Sequence, residues 1–289
     1  MDNSTPLYKA AEMEDSLDLW FYHPLGFRIA RAAYPLGLTP NQISCFSMVL
    51  GIAGGAMLCR LNLAVVGYPL LIASSVFDSA DGQLARMRGG GTVAGRVLDG
   101  LIGYFMFTSA YIGLVFLHLS RPDNMGLWPM LALAVAGGVA SALQSSLYDY
   151  YRTAFASVVK KGLPPVDDPR EELNPLLKFS YSSYQVYQNI CGKSHMKLMA
   201  MLAEKFPGGL PESVRAKYRE TNLPMIHRWN LFGDNMRLAG ILAALLLNKP
   251  EWYFVFIIGP MSAALGFMIW LQARRDAEFS RFVNEGEWK

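Results

Sequence analysis

Charge is scarce in this 289-residue chain: Asp, Glu, Lys and Arg supply 17% of it, against about a quarter in soluble domains. Hydrophobic residues make up 52%, and the mean hydropathy is +0.21. Disorder and an ordinary cytosolic enzyme are both excluded by that balance, which points to an integral membrane protein. A net charge of +3 is too small to recommend nucleic acid as a partner. Cysteine is also rare. Cys45, Cys59 and Cys191 form no CxxC pair, so buried free thiols are expected rather than a disulfide framework or a zinc site. Repeats and low-complexity tracts are missing. Met1 to Leu19 is acidic and polar, with no basic stretch followed by an apolar one, so no cleaved signal peptide is expected.

What is present is a set of long uncharged runs. A bilayer core needs roughly 20 apolar residues per helix. Ala32 to Cys59 carries no charge, and its helix is predicted to start near Pro40. Further runs cover Leu63 to Phe77, Gly100 to Leu117, Leu127 to Leu147 and Trp252 to Leu271, and a short one covers Leu238 to Leu247. The fold class expected is all-α integral membrane with six transmembrane helices. With six spans, 23 of the 26 Lys and Arg residues fall on the side that holds both termini; Arg60, Arg121 and Lys249 fall on the other. Positive residues stay on the cytoplasmic side. Both termini are therefore expected in the cytoplasm, with the inner cell membrane as the expected location.

Five regions follow. Residues 1–39 form a cytoplasmic N-terminal segment whose apolar residues, among them Trp20, Phe21 and Phe27, suit either an interfacial juxtamembrane helix or one packed on the protein's own cytoplasmic face. Residues 40–155 hold helices 1–4, and 156–235 form a cytoplasmic helical insert between helices 4 and 5. Residues 236–273 hold helices 5 and 6, and 274–289 form a tail. Within the insert, Tyr181, Tyr184 and Tyr187 recur every third residue, and Met196, Met199, Met201, Leu202 and Phe206 suggest a second amphipathic piece before Pro207.

Chemistry concentrates in Phe77 to Gly103, FDSADGQLARMRGGGTVAGRVLDGLIG. Asp78 and Asp81 are three apart and share a helix face. Arg86 lies one to two turns on, Gly89 to Gly91 break the helix, and Asp99 sits in the first turns of the next span at the depth of Asp78. Three carboxylates at membrane depth are costly unless neutralised. A hard divalent cation with oxygen ligands, Mg²⁺ or Mn²⁺, answers that cost; a helix-end ion-pair cluster with Arg86, Arg88 and Arg96 is the alternative. Gly82 and Ala85 are small enough for close substrate approach, and Arg86 can hold a phosphate bidentately.

These residues resemble the signature of the CDP-alcohol phosphotransferase family, DxxDGxxAR, eight residues, then GxxxDxxxD. Asp78, Asp81, Gly82, Ala85, Arg86, Gly95 and Asp99 fall in register with it. The LTPNQIS run, Leu38 to Ser44, is similar to the family's entry to helix 1. The resemblance implies Asp78, Asp81 and Asp99 as metal ligands, with Asp99 and Arg86 as the catalytic candidates. It implies Gly82, Arg86 and Thr92 at the CDP moiety, and Pro40, Asn41, Gln42 and Ile43 beside the nucleotide. The implied reaction transfers a substituted phosphate from a CDP-linked lipid alcohol to a small hydroxylated acceptor and releases CMP, in phospholipid or phosphosphingolipid synthesis. Membrane lipid is the implied environment and a homodimer the implied assembly. For the acceptor, Arg152 and Arg237 stand at cytoplasmic helix ends, where each could bind an acidic group or simply anchor the helix by positive charge. The four histidines show no ligand spacing.

One position departs from the signature. Its fourth Asp, given metal-ligand and general-base roles in the family, falls at Gly103. Losing a positioned base can cost roughly 10²- to 10⁴-fold. Tyr104 and Asp149 are the neighbours that could serve instead, and a non-catalytic CDP-lipid-binding protein is the rival reading. A cation transporter would need paired broken helices in two related halves, and the sequence shows no such symmetry. An aspartate restored at 103 is expected to crowd a repacked helix and lower activity.

Overall fold

The computed structural model describes residues 11–90, 93–163, 192–286 and 288, with the side chains of residues 11 and 93–101 outside that description. Among the described residues the chain is helical and has no strand. Helix α1 is His23–Ala33, α2 Pro40–Met57, α3 Leu61–Met87, α4 Val93–Leu119 and α5 Leu127–Ala156. Then come α6, Lys193–Lys205, α7, Glu212–Trp229, and α8, Asp234–Leu246. Helix α9, Pro250–Phe256, runs through the π-helical turn Ile257–Met261 into α10, Ser262–Glu285. Pro260 lies in that turn; it lacks the amide hydrogen that a regular turn would use.

Among the described residues, four helices are long and apolar enough to cross a membrane: Leu61–Met87, Ile102–Leu119, Leu127–Lys161 and Pro250–Glu285. Helix α2, expected from the sequence as a full span, is not among them. It has 18 residues, and many are Gly, Ser, Asn or Gln, so freedom from charge overstates its apolarity. Helix α8 has only 13, too few to reach across a core of ~30 Å.

Helix α2 sits between α3 and α4, and its glycines let the backbones meet. A Cβ on Gly54 would lie 2.7 Å from the Gly67 carbonyl oxygen of α3, and one on Gly113 of α4 would collide with the Gly55 carbonyl. Small residues that admit such approach serve helix association in lipid, where no hydrophobic force separates helix from solvent. Two serine clasps fix the α2–α3 register. Ser47 Oγ donates to the Ser74 carbonyl at 2.8 Å and Ser74 Oγ to the Ser47 carbonyl at 2.8 Å.

The N-terminal segment packs on the protein itself. A Cβ on Gly26 would meet Ser79 and Ala80 of α3 at 2.8–2.9 Å, and Ala30, Ala33, Ile43, Ala80 and Leu84 form a small buried cluster. Trp20 remains 79% exposed, as an interfacial side chain would be. In the insert, Tyr181, Tyr184 and Tyr187 lie outside the described residues. Helix α6 realises the methionine-rich amphipathic piece, with Leu198, Met199 and Leu202 buried. Trp229 of α7 stacks on Tyr151 of α5 at 4.3 Å between ring centroids and donates to Gln272 of α10 at 3.3 Å. His195 of α6 pairs with Asp276 of α10 at 2.9 Å. These insert helices thus share one apolar core with the long helices. Cys45 is exposed and Cys59 half-buried, both free.

Candidate active site

Residues 78–86 occupy the C-terminal half of α3. Asp81 is 7% exposed, and Ser44 Oγ of α2 donates to its Oδ2 at 2.5 Å. The same hydroxyl lies 3.1 Å from the Pro40 carbonyl. Helix α2 can present Ser44 there because its start is fixed. Thr39 Oγ1 accepts from the Gln42 amide at 3.3 Å, and the Gln42 side chain accepts from the Thr39 amide at 2.8 Å. This is a capping box with Pro40 in the first turn. The Gln42 side chain is engaged in that cap, and the run Pro40 to Ile43 lies beside the turn of α3 that carries Asp81.

Asp78 is half-buried one turn before Asp81. A Cβ on Gly82 would lie 3.4 Å from a terminal nitrogen of Arg86, so Arg86 folds back over a position that a larger side chain would fill. Arg88 donates to the Leu38 carbonyl at 2.9 Å and lies 5.4 Å over the Tyr34 ring, tying the end of α3 to the loop before α2. Asp99 belongs to α4, but its side chain and Thr92 lie outside the described residues. Among the described residues no three His, Cys, Asp or Glu side chains converge as metal ligands. The two carboxylates that are described still suit a hard cation. Asp81 is a buried carboxylate oriented by a hydroxyl, Asp78 is adjacent, and oxygen donors are what Mg²⁺ and Mn²⁺ select.

Among the described residues, nothing lies within 4 Å of the Cβ that Gly103 lacks. The first carbon of an aspartate side chain there would therefore enter open space among the described residues, one helical turn after Asp99. Of the neighbours considered as replacements, Tyr104 is half-buried and Asp149 is exposed.

Beside this turn lies a polar chain that links α3 to α5 through the N-terminal segment. His23 Nδ1 is 2.8 Å from Ser79 Oγ, and its carbonyl accepts from Gln83 at 2.8 Å. His23 Nε2 faces Glu14 Oε2 at 3.7 Å, and Arg152 donates to the same oxygen at 2.6 Å. Arg152 also bonds Tyr148. Arg237 is 4% exposed. It pairs with Asp234 at 2.8 Å and donates to the carbonyls of Phe232 at 3.1 Å and Ser141 at 3.3 Å. Both arginines singled out in the sequence are thus held by internal partners. Next to Glu14, a cavity of about 890 Å³ lies among the N-terminal segment, α7, α8 and α10.

Sequence reasoning did not identify Ser44, His23 or Glu14. Ser44 lies within the quoted LTPNQIS run, one residue past those assigned to the nucleotide. His23 and Glu14 carry no local signal, because their partners are 56 to 138 residues away.

Burial alone would push the Glu14 carboxyl up. His23 and Arg152 outweigh that effect and hold it at about 2, below its ordinary 4.5. A depressed folded-state pKa gives stability that is complete above about pH 4.5 and is lost as the pH falls toward 2. Glu14→Gln is expected to flatten the acid side of a Tm-against-pH curve measured in detergent. An unchanged curve would mean that the Glu14–Arg152 pair adds nothing to folding.

Residues 37–162 match the family model described as CDP-alcohol phosphatidyltransferase. The phosphatidylinositol phosphate synthases of Mycobacterium bovis and Mycobacterium tuberculosis are each 32% identical over 87 residues, 30% of this chain and 40% of theirs. The Mycobacterium marinum protein of the same name is 35% identical over 71 residues, 25% of this chain and 30% of its own. The chain thus spans well under half the length of these curated relatives. No solved structure matches it.

Proposed function

We propose, from the match of residues 37–162 to the CDP-alcohol phosphatidyltransferase model, that this chain belongs to that family and transfers the phosphatidyl group of a CDP-linked lipid to a small hydroxylated acceptor. The observation that carries the reading is the buried Asp81 carboxylate, oriented by Ser44 beside the turn that begins with Pro40. The acceptor hydroxyl attacks the β-phosphorus. A new P–O bond forms, the bridging P–O bond breaks, CMP leaves with the bridging oxygen, and the hydroxyl proton passes to a base or to water.

Asp78, Asp81 and Asp99 would hold Mg²⁺ or Mn²⁺, which supplies neutralisation of phosphate charge as the bridging oxygen departs. Arg86, folded over Gly82, holds a phosphate oxygen. The absence of a side chain at Gly82 lets the nucleotide approach the α3 backbone, and the capped start of α2 forms its other wall. Positioning of donor and acceptor supplies much of the rate. No carboxylate stands at 103 to take the proton, and that glycine is the observation favouring the second reading, a CDP-lipid-binding protein without turnover.

In the membrane we infer six spans, adding to the four long helices α2 and an α8 lengthened by the helical turn Asn230–Phe232 that precedes it, with both termini and the site on the cytoplasmic side. The 23-to-3 distribution of Lys and Arg supports that orientation. The test is CMP release by the purified protein with CDP-diacylglycerol, Mg²⁺ or Mn²⁺ and a panel of hydroxylated acceptors. Acceptor-dependent CMP release supports the transferase. Binding of the donor without release would favour the non-catalytic reading.

A further inference from the structure

The cavity of about 890 Å³ among the N-terminal segment, α7, α8 and α10 is lined by two kinds of residue. One part is apolar. Met236 and Ala239 of α8 and Ala264 and Phe267 of α10 line it, and α10 belongs to the helix Pro250–Glu285 that is long and apolar enough to cross a membrane. Phe267 is 58% exposed among the described residues, so this part opens toward lipid. One turn on, exposed Trp270 lies 4.1 Å under the Arg274 guanidinium. An exposed tryptophan beside a long cationic side chain marks the level where bilayer meets water. The other part is polar, and much of its charge is already matched. Glu12 pairs with Arg219, and Glu14 with Arg152 at 2.6 Å. Two groups are left over. Arg228 of α7 is exposed, and its contact among the described residues is the Met225 sulfur at 3.9 Å; His227 lines the cavity beside it. Asp15 accepts from Asn235 at 3.1 Å and is paired with no cation among the described residues. An unmatched guanidinium, an unmatched carboxylate and an apolar wall at the bilayer surface suit a molecule that carries a phosphate, an amine and an acyl chain.

We propose that this cavity binds an aminophospholipid of the surrounding bilayer, with its phosphate on Arg228 and His227, its ammonium toward Asp15 and an acyl chain along Ala239 and Phe267. The site shares no lining residue with the turn that carries Asp78 to Arg86, and it stands whether or not the chain turns over a CDP-linked lipid. The bound lipid joins the N-terminal segment and the insert helix α7 to the spanning helices α8 and α10.

The test uses the full-length protein in detergent, titrated with phosphatidylethanolamine, with phosphatidylglycerol of the same acyl chains and with water-soluble glycerophosphoethanolamine, bound mass being read by native mass spectrometry. The wild type is expected to hold phosphatidylethanolamine about tenfold more tightly than phosphatidylglycerol, because the second lipid has no amine for Asp15. Glycerophosphoethanolamine, which has no acyl chain, should not bind at the same concentrations. Arg228→Gln removes the charged donor to the phosphate and is expected to weaken phosphatidylethanolamine by about tenfold, whereas Arg228→Lys should keep most of the affinity. Asp15→Asn should erase the preference between the two lipids. Ala239→Trp, which fills the apolar part, should abolish retention. Equal or tighter binding of phosphatidylglycerol by the wild type overturns the inference. So does unchanged retention in folded Arg228→Gln, which would mean unspecific lipid around the spans. Binding of glycerophosphoethanolamine as tight as that of the lipid overturns it too, since the site would then serve a soluble phosphate. If Asp15→Asn does not fold, the wild-type comparison and Arg228→Gln decide.

Discussion

Asp81→Asn is expected to abolish metal-dependent CMP release, a fall on the order of 10³-fold or more. Neutralising phosphate charge through a bound cation is worth several kcal/mol, and each 1.36 kcal/mol is a factor of ten in rate. Asparagine keeps the size of the side chain and one acceptor oxygen but loses the negative charge. Ser44→Ala gives the graded counterpart. It leaves Asp81 charged but removes the 2.5 Å hydrogen bond that aims it. Loss of a group that orients a metal ligand costs about 10- to 100-fold in affinity or activity. Titration of Mg²⁺ or Mn²⁺ against turnover should therefore show Ser44→Ala shifted to higher metal and Asp81→Asn flat. Full activity in Asp81→Asn, with unchanged metal dependence, would remove Asp81 from the site.

Gly103→Asp is expected to raise turnover by about tenfold or more. It returns a carboxylate one turn after Asp99, at a position where the added Cβ meets nothing among the described residues within 4 Å. A positioned general base contributes roughly 10²- to 10⁴-fold, and part of that range is open to recovery. The substitution also replaces a helical glycine, so the fold should tolerate it. The measurement is a pair of pH–rate profiles, wild type and variant. A new acid limb with higher turnover is expected in the variant. Lower turnover in a folded variant would mean that the reaction already uses another base, or none.

The candidate site was legible in the sequence because its information is local. Asp78, Asp81, Gly82, Ala85 and Arg86 lie within three turns of one helix, and LTPNQIS announces a helix start through Thr39, Pro40 and Gln42. The amphipathic methionine-rich piece at Lys193–Lys205 was legible for the same reason. What escaped was non-local. Glu14 meets Arg152 across 138 residues and His23 meets Ser79 across 56, and no periodicity encodes such pairs. The histidines show why spacing alone misleads. They have no ligand spacing, yet His23, His118 and His195 each join helices or segments far apart in sequence, to Ser79, Glu251 and Asp276. The span count was legible only in part. Absence of charge marks α2 as a candidate span, but its glycines and serines serve close packing against α3 and α4 rather than contact with lipid. Steric freedom at Gly103 could not be read at all, because it depends on what lies opposite the helix.

The transfer of the phosphatidyl group at the β-phosphorus is tested most directly by labelling. Two CDP-diacylglycerol preparations, one carrying ³²P at the α-phosphorus and one at the β-phosphorus, are incubated with the wild-type protein, Mg²⁺ or Mn²⁺ and acceptor. The β label should appear in a new, more polar lipid and the α label in CMP, both lost on chelation of the metal. Release of the β label in a water-soluble product, or retention of both labels in unreacted donor across the acceptor panel, would contradict the transferase.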